Sequence, residues 1–290
     1  MSRAERYLFA TLAAEQVIRE RNITVLPVDP FAIARDLGID VMAKPAMSAG
    51  VSGSLLRVGN SFAIAYATHI GNTGFQRFSI SHELGHYFLP GHIDAVFVDG
   101  DLHESRAGFA SGNRYELEAD HFAAALLMPR QLFIPAMRNA GQGLDAIEDL
   151  HVLCDTSLTA TAIRYAQCTA DAFAIVVSIG ATIDYCFLSD TLMELDGLDW
   201  ARKHQMVPRG TLTFAFNQEA DNVLLCERKD GASDLQQWFG GSRNIEVNEE
   251  IVGLGTYGKT LTVLSGFEVP EPEDEEVEES LRDSWIPRFR

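Results

Sequence analysis

The chain has 290 residues, of which 47% are hydrophobic and 22% charged, and its formal net charge is −18. That length suits two ordinary domains, and no run approaches the ~18 consecutive apolar residues that a membrane span requires. From Glu268 onward nine acids stand against three arginines, a share of −6, so the preceding body still carries −12. An acidic body is repelled by phosphate backbones, which argues against nucleic acid as the main partner and favours a basic protein. Arg3, Glu5 and Arg6 occupy the N-terminus with no long apolar stretch behind them, so a signal peptide is not expected and the cytoplasm is the default compartment. Cys154, Cys168, Cys186 and Cys226 form no C-x-x-C pair and read as reduced thiols.

In chain order, Arg3 to Arg19 reads as an amphipathic helix with Leu8, Leu12 and Ile18 among its apolar positions. Asp29-Pro30 opens a second helix, which Gly38 ends, and Ile39 to Met42 follows as a short strand. Gly50 to Ala67 holds two strand-like runs around a turn at Val58-Gly59-Asn60. In the second, Phe62, Ile64 and Tyr66 alternate with alanines, the period of a half-buried strand. This run is either an ordinary sheet strand or an edge strand to which an extended peptide could add.

A helix is expected from Phe75 to Leu89, closed by Pro90-Gly91, and then a long polar loop from Gly91 to Gly112. Asn113 can cap the next helix, which runs to Met128. Leu144 to Gln167 is helical with a turn at Asp155-Thr156-Ser157. Beyond Ala172, strands are expected at Phe173–Ile179, Thr211–Phe216, Val223–Glu227 and Leu261–Leu264, giving a separate mixed α/β domain with Trp200 and Trp238 as core anchors. The acidic, proline-containing end from Val269 reads as disordered.

Residues 82 to 86 read His-Glu-Leu-Gly-His. On a helix, positions i and i+4 share a face, so His82 and His86 can bind one ion. Zinc takes two imidazoles and a carboxylate and leaves a position for water. Glu83, beside the first ligand, is placed to act as general base, taking a proton from that water and delivering it to a leaving amine.

A third ligand is available in Glu116-Leu117-Glu118-Ala119-Asp120. Glu116 and Asp120 share a helix face, so Glu116 can complete the site while Asp120 orients a ligating histidine. Ala119 and Ala123 would let the two helices approach closely. Two alternatives remain open: Glu116 stands at capping-box spacing from Asn113, in which case Glu118 or another acid would be the ligand. Glu118 points elsewhere around the helix, toward a salt bridge or solvent. His92, His103 and His121 are surface or packing residues, or one of them stabilises an oxyanion. Tyr87 and Tyr115 read as packing residues.

The blocks Arg77-Phe78-Ser79-Ile80-Ser81-His82-Glu83-Leu84-Gly85-His86 and Glu116 through Pro129, with its Phe-Ala-Ala and Leu-Leu-Met-Pro, resemble the ImmA/IrrE-type metallopeptidases. The resemblance is good over residues 1 to about 135. It implies an α+β chain: a minimal zincin-like domain (1–135), a helical helix-turn-helix-like segment (136–170), a C-terminal domain (171–266) similar to GAF-like sensors in element order, and an acidic tail (267–290). It implies a zinc peptidase, with manganese hard to exclude, whose substrate is a helix-turn-helix repressor of the XRE type cut after a stress or mobile-element signal. His82, His86 and Glu116 carry over as ligands and Glu83 as the catalytic residue. The long stretch Gly91–Gly112 departs from the family pattern. A second reading makes the chain a non-catalytic regulator that binds a metal and a repressor without cutting, against which the intact Glu83 stands.

Overall fold

A computed structural model describes residues 2–45, 50–69, 71–98, 100–105, 113–195, 197–199, 203–241 and 244–267. Trp200, part of the 91–112 stretch and the acidic tail beyond Phe267 lie outside them. No described helix is long and apolar enough to cross a membrane. The chain divides into two compact units, Met1–Asp171 with Phe187–Asp190, and Ala172–Cys186 with Thr191–Arg290.

The first unit opens with α1 (Arg3–Glu20), started by a Ser2/Glu5 capping box. Its buried residues are Ala10, Ala14, Val17 and Ile18, whereas Leu8 and Leu12 are 58% and 49% exposed. The expected apolar face is thus wrong at Leu8 and Leu12. α1 packs against a neighbouring helix, and alanines rather than leucines occupy that seam. Helix α2 (Pro30–Asp36) starts at an Asp29 cap with Pro30 in its first turn.

Strands β1 (Asp40–Lys44), β2 (Gly53–Val58), β3 (Ser61–Ala67) and β4 (Leu102–Ser105) form a sheet in the order β1-β3-β2-β4. β1 runs parallel to β3, and β2 is antiparallel to both β3 and β4. The Phe62–Ala67 run is therefore an inner strand, paired on both sides, and no peptide can add to it. Between β3 and β4 stand α3 (Thr73–Phe88) and the short α4 (His92–Val96). The expected loop from Gly91 thus contains a helix and a strand. Neither is long enough to show a period.

α5 (Arg114–Leu127) packs on both α1 and α3. The core of this unit lies between these three helices and one face of the sheet, with Ile18, Leu55, Ile64, Ile80, Leu84, Phe122 and Leu126 all buried. α6 (Arg130–Met137), α7 (Gly143–Cys154) and α8 (Leu158–Cys168) complete the unit. The turn between α7 and α8 uses Asp155 at φ 49° and Ser157 as the next cap. This turn seats on the first residues of α3: Thr73 Oγ1 donates to Asp155 at 3.1 Å, and Arg77 pairs with it at 3.3 Å.

In the second unit, β5 (Ala174–Ile179) and β6 (Thr182–Leu188) precede a single turn, α9 (Asp190–Met193). Then come α10 (Leu212–Phe216), α11 (Ala220–Leu224), β7 (Arg228–Asp234), α12 (Leu235–Phe239), β8 (Glu246–Gly253) and β9 (Thr260–Ser265). The sheet order is β6-β5-β9-β8-β7, with β5–β9, β9–β8 and β8–β7 antiparallel. An antiparallel sheet replaces the mixed α/β arrangement expected. Two expected strands are also corrected. Residues 211–216 are helical because Thr211 caps the Phe214 N–H, and Val223–Glu227 contains the end of α11 rather than a strand.

The fully buried carboxylate of Glu249 ties these pieces to the sheet. It accepts from the Thr213 N–H and hydroxyl at 2.6 and 2.7 Å and from Trp238 Nε1 at 3.4 Å. Three donors offset the cost of burying this polar group.

Gly74 exposes the seat of α3 to test. A Cβ there would lie 2.4 Å from the carbonyl carbon of Thr156 and 2.6 Å from the nitrogen of Ser157, both backbone atoms that cannot swing aside. Overpacking of about 1–3 kcal/mol outweighs a helix-propensity gain below about 1 kcal/mol. Gly74→Ala is expected to lower the urea midpoint of the first unit; an unchanged midpoint would show that the turn does not bear on α3.

Candidate metal centre

Helix α3 begins at Asn72, whose side chain accepts from the Phe75 N–H, and every residue from Phe78 to His86 is buried. Ser79 and Ser81 satisfy their hydroxyls on the carbonyls of Phe75 and Arg77, at 3.0 and 2.9 Å. The histidines are thereby left as the polar groups facing α5. His82 Nε2 and His86 Nε2 are 3.1 Å apart. From α5, Glu116 sends Oε2 to within 3.3 Å of His82 Nε2 and Oε1 to within 3.3 Å of His86 Nε2.

Three donors thus converge on one point, and these residues are the group among those described that can hold a metal. Donors about 2.0–2.1 Å from a tetrahedral zinc ion stand about 3.3 Å apart, close to the spacing found. Two imidazoles and one carboxylate also suit a transition metal better than calcium or magnesium, which prefer oxygen. The residues present fit the ion that the motif implies.

The Asn113 side chain caps α5 through the Tyr115 N–H at 3.0 Å, while the Glu116 carboxylate is turned to the histidines rather than back to the cap. Glu118 points elsewhere and pairs with Arg6 at 3.2 Å. Asp120, fully buried, sits 2.8 Å from His82 Nδ1.

Two more histidines join the cluster, both from the stretch that reads as a loop. His92 Nδ1 lies 3.1 Å from His86 Nδ1, and His103 Nε2 lies 2.9 Å from Glu116 Oε1. Their only sequence signal is the histidine itself in a polar stretch close to the motif. His121 instead stacks on Tyr7, with centroids 4.1 Å apart, in the seam between α1 and α5. Tyr87 packs edge-on to Phe62, and Tyr115 edge-on to His92.

Burial disfavours charge throughout this cluster, and the partners decide where charge remains. At His82 burial is overridden by the Asp120 and Glu116 carboxylates, which hold the ring protonated and push its pKa up to about 10. Burial prevails at His86 and lowers its pKa to about 3. Glu116, though buried, is held far below the usual carboxylate range by hydrogen bonds from His103, His82 and His86.

Glu83 differs from all of these. It is fully buried, and the Ser105 hydroxyl on β4 is the one side chain whose hydrogen bonding bears on its carboxylate, with no full hydrogen bond in strict geometry among the described residues. Burial raises its pKa to about 7, with the charges of His82 and His103 pulling the other way. Gly53 on β2 lies against it, so that a Cβ there would stand 2.7 Å from Glu83 Oε1. Sequence reasoning missed Gly53, because a glycine opening a strand carries no local sign of what its missing side chain clears.

The purified protein is expected to bind about one divalent transition metal per chain. His82→Ala and Glu116→Ala should each abolish that stoichiometry in elemental analysis. Metal retained by Glu116→Ala would move the third ligand to another group.

Residues 34–164, from α2 into α8, match the family described as the IrrE N-terminal-like domain. No curated protein compared with the chain matches it. Among solved structures, the chain is similar to a Mycobacterium tuberculosis transcriptional regulator at 16% identity and a TM-score of 0.55, over 89% of this chain and 88% of that one. At that identity the likeness concerns the fold. The matched segment contains both α3 and α5 with all three converging donors, so the chain carries an IrrE N-terminal-like domain of the ImmA/IrrE metallopeptidase kind.

Proposed function

We propose that the chain is a zinc-dependent, site-specific endopeptidase acting on an XRE-type helix-turn-helix repressor in the cytoplasm, in response to stress or a mobile-element signal. The observation that carries the hydrolytic reading is Glu83: a fully buried carboxylate with no cation or backbone N–H bonded to it among the described residues, one residue from a metal-ligand candidate, is costly unless a reaction uses it. His82, His86 and Glu116 would hold the ion, zinc by the donor set, with manganese as the other candidate. A metal in this group supplies Lewis-acid polarisation of the scissile carbonyl and acidifies the attacking water. Glu83 would take a proton from water held there and carry it to the departing amine, the general-base role its place beside His82 allows. Asp120 holds the His82 ring through Nδ1, 2.8 Å away.

The substrate class rests on the family and on charge. A body of strongly negative charge attracts a basic DNA-binding protein. The structural neighbour is itself titled a transcriptional regulator. Among the described strands β4 ends the first sheet, and it carries His103, so a substrate strand adding beside it would pass the metal group.

In this reading the first 135 residues are a minimal zincin-like domain and α7–α8 its helix-turn-helix-like segment. The second unit is a GAF-like sensor. Direct DNA contact by α7–α8 is disfavoured, since their one arginine, Arg164, is buried and donates to the Met128 carbonyl at 2.9 Å. The competing reading, a regulator that binds without cutting, has no use for a fully buried Glu83 beside the metal group.

Glu83→Gln should bind zinc with wild-type stoichiometry and lose at least about 1000-fold in cleavage of a repressor substrate, the scale of a lost acid–base group in a metal-assisted step. Cleavage surviving that change would remove Glu83 from the mechanism. Gly53→Ala probes the same group from outside. The added methyl meets the end of the Glu83 side chain, so the fold and zinc content should persist while turnover falls by roughly 10- to 100-fold. Turnover equal to wild type would mean that the carboxylate does not need that clearance.

A further inference from the structure

Each of the three proposed ligands meets a different outer partner. Asp120 faces His82 and His103 faces Glu116, but His86 has a longer connection. Its Nδ1 lies 3.1 Å from Nδ1 of His92, and Nε2 of His92 lies 3.1 Å from Glu118 Oε2. Glu118 Oε1 in turn lies 3.2 Å from Nε of Arg6 on α1. The row runs outward from the buried His92 ring, 1% exposed, to the Glu118 and Arg6 side chains at 13% and 29%.

Hydrogen bonding gives this row a direction. If Nε2 of His86 faces the metal, its proton sits on Nδ1 and must be donated. Nδ1 of His92 is then the acceptor, which leaves the His92 proton on Nε2, aimed at the Glu118 carboxylate. Arg6 neutralises the far oxygen of that carboxylate. His86, His92 and Glu118 thus have a neighbour on either side, Glu118 through its ion pair with Arg6, and with Nε2 of His86 on the metal the tautomers of both rings follow.

We propose that His92 is a positioning residue for the metal centre, fixing the tautomer and the ring angle of His86 through a chain that runs to Glu118 and Arg6. The inference rests on the metallopeptidase reading above. It adds a part of this chain outside the matched family segment, because Arg6 precedes residue 34. α1 therefore serves the site as well as the core. Tyr115 supports the arrangement by packing edge-on against the His92 ring, with centroids 5.0 Å apart. Outer partners of this kind govern metal affinity by about 10- to 100-fold.

The test is a Zn²⁺ titration of the full chain against a chromophoric chelator, with the visible spectrum of the Co²⁺-loaded protein and the melting temperature of the metal-free protein measured alongside. His92→Ala should weaken Zn²⁺ binding by about 10- to 100-fold and shift the Co²⁺ bands while the metal-free melting temperature stays near wild type. His92→Asn, whose Oδ1 can replace the acceptor opposite His86, should recover most of the affinity. Arg6→Ala should give a smaller loss in the same direction. Wild-type affinity in His92→Ala would overturn the proposal. Equal losses in the Ala and Asn variants, matched by a fall in metal-free melting temperature, would also overturn it by making His92 a packing residue. A wild-type protein that takes up no Zn²⁺ at all would instead remove the metallopeptidase reading on which it rests.

Discussion

The centre depends on how closely α3 and α5 approach. Gly85 of α3 lies over Ala119 of α5, where a Cβ on Gly85 would stand 3.1 Å from the Ala119 Cα. Small residues at the crossing bring two backbones together, as they do wherever helices must touch. The consequence is chemical as well as steric. Glutamate has a short side chain, and only at this separation can Glu116 reach both histidine rings at 3.3 Å while Asp120, one turn on, reaches the back of His82. Ala123 and Phe122, both fully buried, continue the seam, so the packing that excludes water also sets the ligand distances.

Exclusion of water then makes every charge in the cluster expensive unless it is paired. The partners are distributed accordingly. The Asp120 and Glu116 carboxylates favour a proton on His82, a place a bound cation would take at Nε2, while burial favours neutral His86 and the three histidines favour the ionised form of Glu116. Glu83 alone is left to be protonated or not according to its surroundings. Under the proposed function, this difference in environment is what would separate the acid–base group from the metal-binding groups, although all of them come from the same few residue types.

Much of this centre was legible because helical period is a strict rule. His82 with His86 and Glu116 with Asp120 follow from i, i+4 spacing, and the alanines between them foretell the close crossing. The partners from residues 91–105 were not legible. A five-residue helix and a four-residue strand carry no period, and the contact of Arg6 with Glu118 joins positions that only the fold brings together. In the second unit, Thr211–Phe216 alternates like a strand and is a helix, since a capping hydroxyl outweighs pattern in so short a piece. β7, Arg-Lys-Asp-Gly-Ala-Ser-Asp, has almost no apolar residue and forms a strand because β8 pairs with it along its whole length. On α1 the larger apolar residues suggested the buried face, and the alanines occupy it.

The sheet contributes through register rather than through any single bond. Gly53 pairs with Ser105, and Leu55 with His103, so these four residues share one face of the β2–β4 pair. Leu55 is fully buried in the core, which fixes that face toward α3. The same constraint then delivers the clearance at Gly53 to Glu83 and His103 to Glu116. A slip of one residue between the strands would turn His103 to the opposite face and offer Leu102 or Glu104 to the metal group instead. A leucine anchored in the core of the unit therefore decides which polar side chains of β4 enter the site. The strand that looked like featureless loop acquires its place from its partner.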